Sequence, residues 1–132
     1  VFVDNEVVGE VGKGLLVLCG FLATDTKETI DWVANRVANL RIFPDENYKL
    51  NKSLLTIGGE ALVVSNFTLY GDCNNGYRPS FSLSAPRNIS EPLYDYFVKK
   101  LKEKVPVQTG RFGEHMEMEL YSDGPITVVV EK

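Results

Sequence analysis

Apolar and polar positions along the chain alternate in two different rhythms, and the rhythm changes mark the elements. Val1-Phe2-Val3, the polar pair Asp4-Asn5 and Glu6-Val7-Val8 read as a hairpin with a tight turn. Gly12-Lys13-Gly14 breaks that pattern. Leu15 to Cys19 is a continuous apolar run of strand length, which predicts a central strand covered on both faces. Asp25-Thr26-Lys27-Glu28 offers an N-cap on Asp25 with an acidic residue three positions on. Ile30, Val33, Ala34, Val37 and Leu40 then recur at helical spacing, with Trp32 at the edge of the stripe. Ser53-Leu54-Leu55 suggests a short helical turn, and Glu60 to Leu69 a long strand whose second half is polar. Tyr70 to Ser84 is a long loop rich in Gly, Asn, Ser and Pro. Glu91 to Lys104 reads as a second helix, with Pro92 in its first turn and lysines crowding its end. Met116 to Leu120 alternates as a half-buried strand. Asp123-Gly124-Pro125 forms a turn, and Ile126 to Val130 a closing β-branched strand. These elements predict an α+β domain of mostly antiparallel strands with two main helices.

Composition narrows the function classes. The 132 residues are 44% hydrophobic and 24% charged, ordinary for a folded domain. No apolar run approaches a membrane span, and the start carries no signal-peptide pattern. The net charge of −4 argues against a general phosphate binder, so any RNA contact is expected to be local. Of the two cysteines, Cys19 sits in an apolar run and Cys73 in a polar loop. One histidine, His115, without clustered Cys/His spacing gives no metal site, and no nucleophile motif stands beside it.

The candidate chemistry lies in four segments. In Ser65-Asn66-Phe67-Thr68-Leu69, strand alternation puts Asn66 and Thr68 on one face, and an edge position frees the Phe67 N–H to donate. A positioned backbone donor is what an acyl-transfer oxyanion needs. A solvated strand end is the commoner meaning of such a pattern. Arg78, in Gly76-Tyr77-Arg78-Pro79-Ser80-Phe81, has the fork for a phosphate or carboxylate, although surface Arg usually forms a salt bridge. Thr109-Gly110-Arg111-Phe112-Gly113 is a glycine-flanked loop. Asp123-Gly124-Pro125 is a turn in which the X-Pro bond can be cis, although from sequence alone a trans turn is far the commoner.

Taken in order, these four segments resemble the D-aminoacyl-tRNA deacylase (D-tyrosyl-tRNA deacylase) family, as do Gly14-Leu15-Leu16-Val17-Leu18 and Leu40-Arg41-Ile42-Phe43. The likeness runs over residues 1–132 as a single deacylase domain, with a family N-terminal strand falling before Val1. It implies a mostly antiparallel, partly closed sheet or barrel with two main helices. It implies hydrolysis of the ester of D-aminoacyl-tRNA, and of glycyl-tRNA mischarged on tRNA-Ala, in the cytoplasm, without metal or cofactor. It also implies a homodimer in which Gly124-Pro125, joined by a cis bond, reaches the partner's pocket. Backbone carbonyls there would meet the substrate's α-amino group and reject an L side chain. Phe67 and Thr68 take the catalytic positions, and Ser65, Asn66, Gly124 and Pro125 those that bind substrate. Thr68 lacks an assignable base, so the terminal adenosine's 2′-OH is the preferred helper. Asn66 stands where the family usually has Gln. The rival readings are a relaxed editing deacylase for a wrong L-aminoacyl-tRNA and a non-catalytic RNA-binding or dimerisation module.

Overall fold

The computed structural model describes residues 1–132. Strands β1 (Phe2–Val3) and β2 (Glu6–Val7) form the expected hairpin, with Asp4 and Asn5 both at positive φ in the turn. Strand β3 (Gly14–Cys19) leads to helix α1 (Lys27–Asn39). Thr26, not Asp25, caps this helix: its hydroxyl accepts the Thr29 N–H at 3.2 Å. Asp25 instead accepts the Leu22 N–H at 2.8 Å and closes the preceding turn. After β4 (Phe43–Pro44) and β5 (Leu50–Lys52) come the short helix α2 (Leu54–Ile57) and strand β6 (Glu60–Ser65). A 3-10 turn (Phe67–Tyr70), helix α3 (Arg87–Lys102) and strand β7 (Val107–Thr109) complete the elements.

The main sheet has the order β3-β6-β7 and is parallel throughout, in register from Gly14↔Glu60 to Cys19↔Ser65. This corrects the expectation of mostly antiparallel strands. Strands joined through a crossover helix such as α1 run parallel. The central strand is β6, whose apolar Ala61–Val64 are buried, whereas β3, expected at the centre and covered on both faces, lies at an edge with all six residues half-buried. Antiparallel pairing within the named strands is confined to the short β1-β2 and β4-β5 ladders. The sheets do not close into a barrel. The predicted strands at Met116–Leu120 and Ile126–Val130 form no ladder within the chain; only an isolated bridge joins Phe2 to Glu117.

The alternation of β6 builds two cores. Ala61 and Val63 face α1, α2 and α3, where they meet Ala34, Leu54, Phe97 and Leu101. Leu62 and Val64 face the other way, toward Val1 and the thinner cover of Val8, Leu16 and Met116. Leu101 is fully buried on the helical side. Leu101→Ala is expected to destabilise the fold by about 2–5 kcal/mol, seen as a lower urea midpoint with an unchanged slope. A midpoint within error of the native one would contradict this packing.

Helix α3 begins at Arg87, before the expected Glu91, so Pro92 falls inside it rather than in its first turn. The missing N–H forfeits one bond to the Asn88 carbonyl, and Asn88 is exposed, so that carbonyl is not buried without a partner. The early start brings Ser90 to the end of the sheet where the strands deliver their polar residues.

Candidate active site

Strand β6 stops at Ser65 because Asn66 offers its backbone a local alternative. The Asn66 side-chain oxygen accepts both the Thr68 N–H, at 3.3 Å, and the Thr68 hydroxyl. This cap turns the chain into the 3-10 helix, so the expected strand through Leu69 ends four residues early. Asn66 and Thr68 meet across this turn and not along one face of a strand. Phe67 opens the turn, and its N–H has no acceptor within it. A 3-10 start thus supplies the free donor that the sequence reading had sought at a sheet edge.

This turn forms one wall of a cleft of about 330 Å³ at the carboxyl ends of β3 and β6. Cys19 and Gly20 continue β3 into the wall, and Ser65, Asn66 and Phe67 continue β6. The Asn66 N–H donates to the Cys19 carbonyl at 2.8 Å and locks the two strand ends together. Ser90 of α3 and the segment Phe112–Met116 form the facing wall. Gly113 has φ +76°, a left-handed conformation that favours glycine, and a Cβ there would push on the Arg87 guanidinium at 2.9 Å. Arg87 covers the Phe112 ring, whose other neighbour is Tyr94 at 5.5 Å. A rigid wall follows from these contacts.

The cleft offers dipoles rather than a charged nucleophile. Burial pushes the Cys19 thiol up to about 12, so it stays protonated, 3.7 Å from the Val64 carbonyl. Burial likewise raises Tyr94, behind the wall, to about 12; its hydroxyl donates to the Val63 carbonyl at 3.1 Å. His115 and Glu114 are exposed residues of the wall, and Glu114 lies 3.9 Å from Arg111. No group of three or more His, Cys, Asp or Glu side chains converges anywhere in the chain.

The sequence-predicted residues divide into two places. Ser65, Asn66 and Phe67 line the cleft, with Thr68 next to them on the turn but outside the lining. Gly124 and Pro125, joined by a cis bond, are exposed and do not line this cleft. Ser90 and Glu114 to Met116 were missed. The glycine-flanked segment ending at Gly113 pointed to the second group, whereas nothing in sequence marked Ser90 once α3 was started late.

A cleft at the carboxyl end of parallel strands, with a residue of unpartnered backbone N–H in its lining, suits a hydrolase that works by positioning and dipoles. Residues 1–131 match the family described as D-Tyr-tRNA(Tyr) deacylase. The D-aminoacyl-tRNA deacylase of Clostridioides difficile is 51% identical over 99% of this chain and 89% of its own length. That of Thermosipho africanus is 51% identical over 98% of this chain and 87% of its own. Among solved structures, one named c-Myc DNA Unwinding Element Binding Protein superposes with a TM-score of 0.93 at 32% identity, covering 99% of this chain and 90% of that one. The chain belongs to the D-Tyr-tRNA(Tyr) deacylase family, a family of ester hydrolases.

Proposed function

We propose that this protein hydrolyses the ester bond of D-aminoacyl-tRNA, releasing the amino acid and tRNA. The observation that carries this reading is the unpartnered N–H of Phe67, a residue that lines the cleft, in a chain about half identical to deacylases of that name. The substrate's ester carbonyl enters beside Phe67, whose N–H donates to the oxygen as negative charge develops on it. Water attacks the carbonyl carbon, the bond to the ribose 3′ oxygen breaks, and that oxygen takes a proton. The neighbouring 2′-OH of the terminal adenosine assists this transfer, and the protein supplies position. Ser65 and the Asn66 amide, whose oxygen is already engaged by Thr68, hold the substrate.

Thr68 is a poor nucleophile because its hydroxyl donates to Asn66 and no base stands behind it. Thr68→Ala is therefore expected to keep at least about a tenth of the native kcat/KM, a loss no larger than about 1.4 kcal/mol in the transition state. A loss of a thousandfold or more would assign Thr68 the nucleophilic role.

Selection for the D form comes from a second copy of the chain. Gly124 and Pro125 lie outside their own cleft, and the segment around them exposes Leu120, Tyr121, Val128 and Val129 without a strand partner. Such a surface suits burial in a homodimer. The partner's Gly124 and the partner's Pro125 would then present carbonyls to the α-amino group and leave no room for an L side chain. Glycine has no side chain to reject, so glycyl-tRNA mischarged on tRNA-Ala is a further substrate. The reaction takes place in the cytoplasm, where charged tRNA is found.

The test is release of free D-tyrosine from D-tyrosyl-tRNA, with a parallel substrate ending in 2′-deoxyadenosine. Rapid release from the first and slow release from the second is expected. Equal rates would remove the 2′-OH from the mechanism, and no release from either would remove the function.

A further inference from the structure

The loop that follows the Phe67 turn is tied to the cleft yet holds its tip away from the protein. Asp72 and Ser80 exchange two backbone hydrogen bonds, each 2.8 Å, which pin the loop at its neck. Beyond that neck the chain returns to the active-site turn. Phe81 sets its ring against Phe67, centroids 5.2 Å apart, and the Ser84 hydroxyl donates to the Phe67 carbonyl at 2.7 Å. The tip between these anchors turns at Gly76, with φ +70°. There Tyr77 is wholly exposed, at 106% of its reference area, and the exposed Arg78 forms no ion pair with any carboxylate.

An exposed aromatic ring and, one residue on, a guanidinium without an ion pair are the groups that take one unstacked base and its adjacent phosphate. The chain's net charge of −4 does not suit an extended grip on duplex phosphates. We infer that Tyr77 and Arg78 hold an unpaired nucleotide of the tRNA 3′ end, next to the esterified adenosine, so that the loop delivers the ester to the Phe67 turn. The tRNA as ligand rests on the function proposed above. The loop takes no part in bond breaking, so its loss weakens binding of tRNA and leaves the chemistry of a minimal ester intact.

The experiment pairs two readouts on the native protein, Tyr77→Ala, Arg78→Ala, Tyr77→Phe and Arg78→Lys. The first is binding of uncharged tRNA by fluorescence anisotropy across a salt series. The second is hydrolysis of D-tyrosyl-tRNA and of D-tyrosyl-adenosine. Tyr77→Ala is expected to raise the Kd and the KM for tRNA about tenfold, with Tyr77→Phe close to native. Arg78→Ala is expected to lower the slope of log Kd against log salt by about 0.7, one single-strand phosphate contact, with Arg78→Lys restoring it. D-tyrosyl-adenosine should be cleaved at the native rate by all variants. Unchanged tRNA binding in both alanine variants overturns the inference. So does an equal loss on D-tyrosyl-adenosine, which would make the loop a prop for the cleft. A shift of either alanine variant from native to smaller mass in sedimentation would overturn it as well, by placing a second copy on the tip. If the native protein cleaves neither ester, the deacylase reading fails, and the binding series alone decides the role of the loop.

Discussion

Phe67→Pro is expected to lower kcat on D-tyrosyl-tRNA by about a hundred- to a thousandfold, the usual effect of removing one oxyanion donor. The substitution deletes the N–H, together with the aromatic ring that packs on Phe81. Phe67 is the first residue of the 3-10 turn, where proline is sterically welcome. Asn66, before it, has φ −148° and ψ 91°, outside the helical region that proline disfavours in the residue preceding it. The ring contact with Phe81 is lost too, so Phe67→Ala is the control. It removes the exposed ring and keeps the N–H, and it should retain most of the activity. Far-UV circular dichroism of both variants should match the native spectrum. A proline variant as active as the alanine variant would show that the donor is not used.

Leu120→Asp combined with Val129→Asp is expected to give a monomer without measurable deacylase activity. Both side chains are largely exposed in the single chain, so changing them costs the isolated fold little. In a homodimer they would be buried, and two unpaired carboxylates in an apolar interface outweigh the attraction of the copies. In the proposed dimer the partner's Gly124 and the partner's Pro125 would complete the pocket, so activity is expected to fall with association. Sedimentation velocity and ester hydrolysis on the same samples check this. A monomer with native activity would show that each chain's cleft is sufficient by itself.

How much of this was legible in the sequence depends on how local each cause is. Helix α1 was readable because Ile30, Val33, Ala34, Val37 and Leu40 repeat at helical spacing, and Ile30, Ala34 and Val37 of that stripe are buried. The hairpin at Asp4-Asn5 was readable because two residues fix it. Strand direction was not, since β3 finds β6 across 40-odd residues and the crossover decides the sense. The end of β6 was missed because the Asn66 cap competes with the ladder through one side chain, which alternation does not register. The segments Met116–Leu120 and Ile126–Val130 carry strand composition but no ladder in the chain, so composition announced a pairing that one copy does not supply. For the site, the segment Ser65 to Phe67 was legible and its facing wall was not. Ser90 reaches the cleft only through the early start of α3, a consequence of tertiary packing. Gly113 carried a signal, because its φ of +76° favours glycine.

The most direct measurement is the fate of two esters side by side. tRNA charged with D-tyrosine and tRNA charged with L-tyrosine are each incubated with the purified protein, and ester loss is followed over time. Rapid loss of the D-ester with the L-ester left intact is the expected result. Comparable loss of both would contradict rejection at the pocket wall and make this a relaxed editing deacylase. Persistence of both would leave a member of the family fold without the chemistry proposed for it.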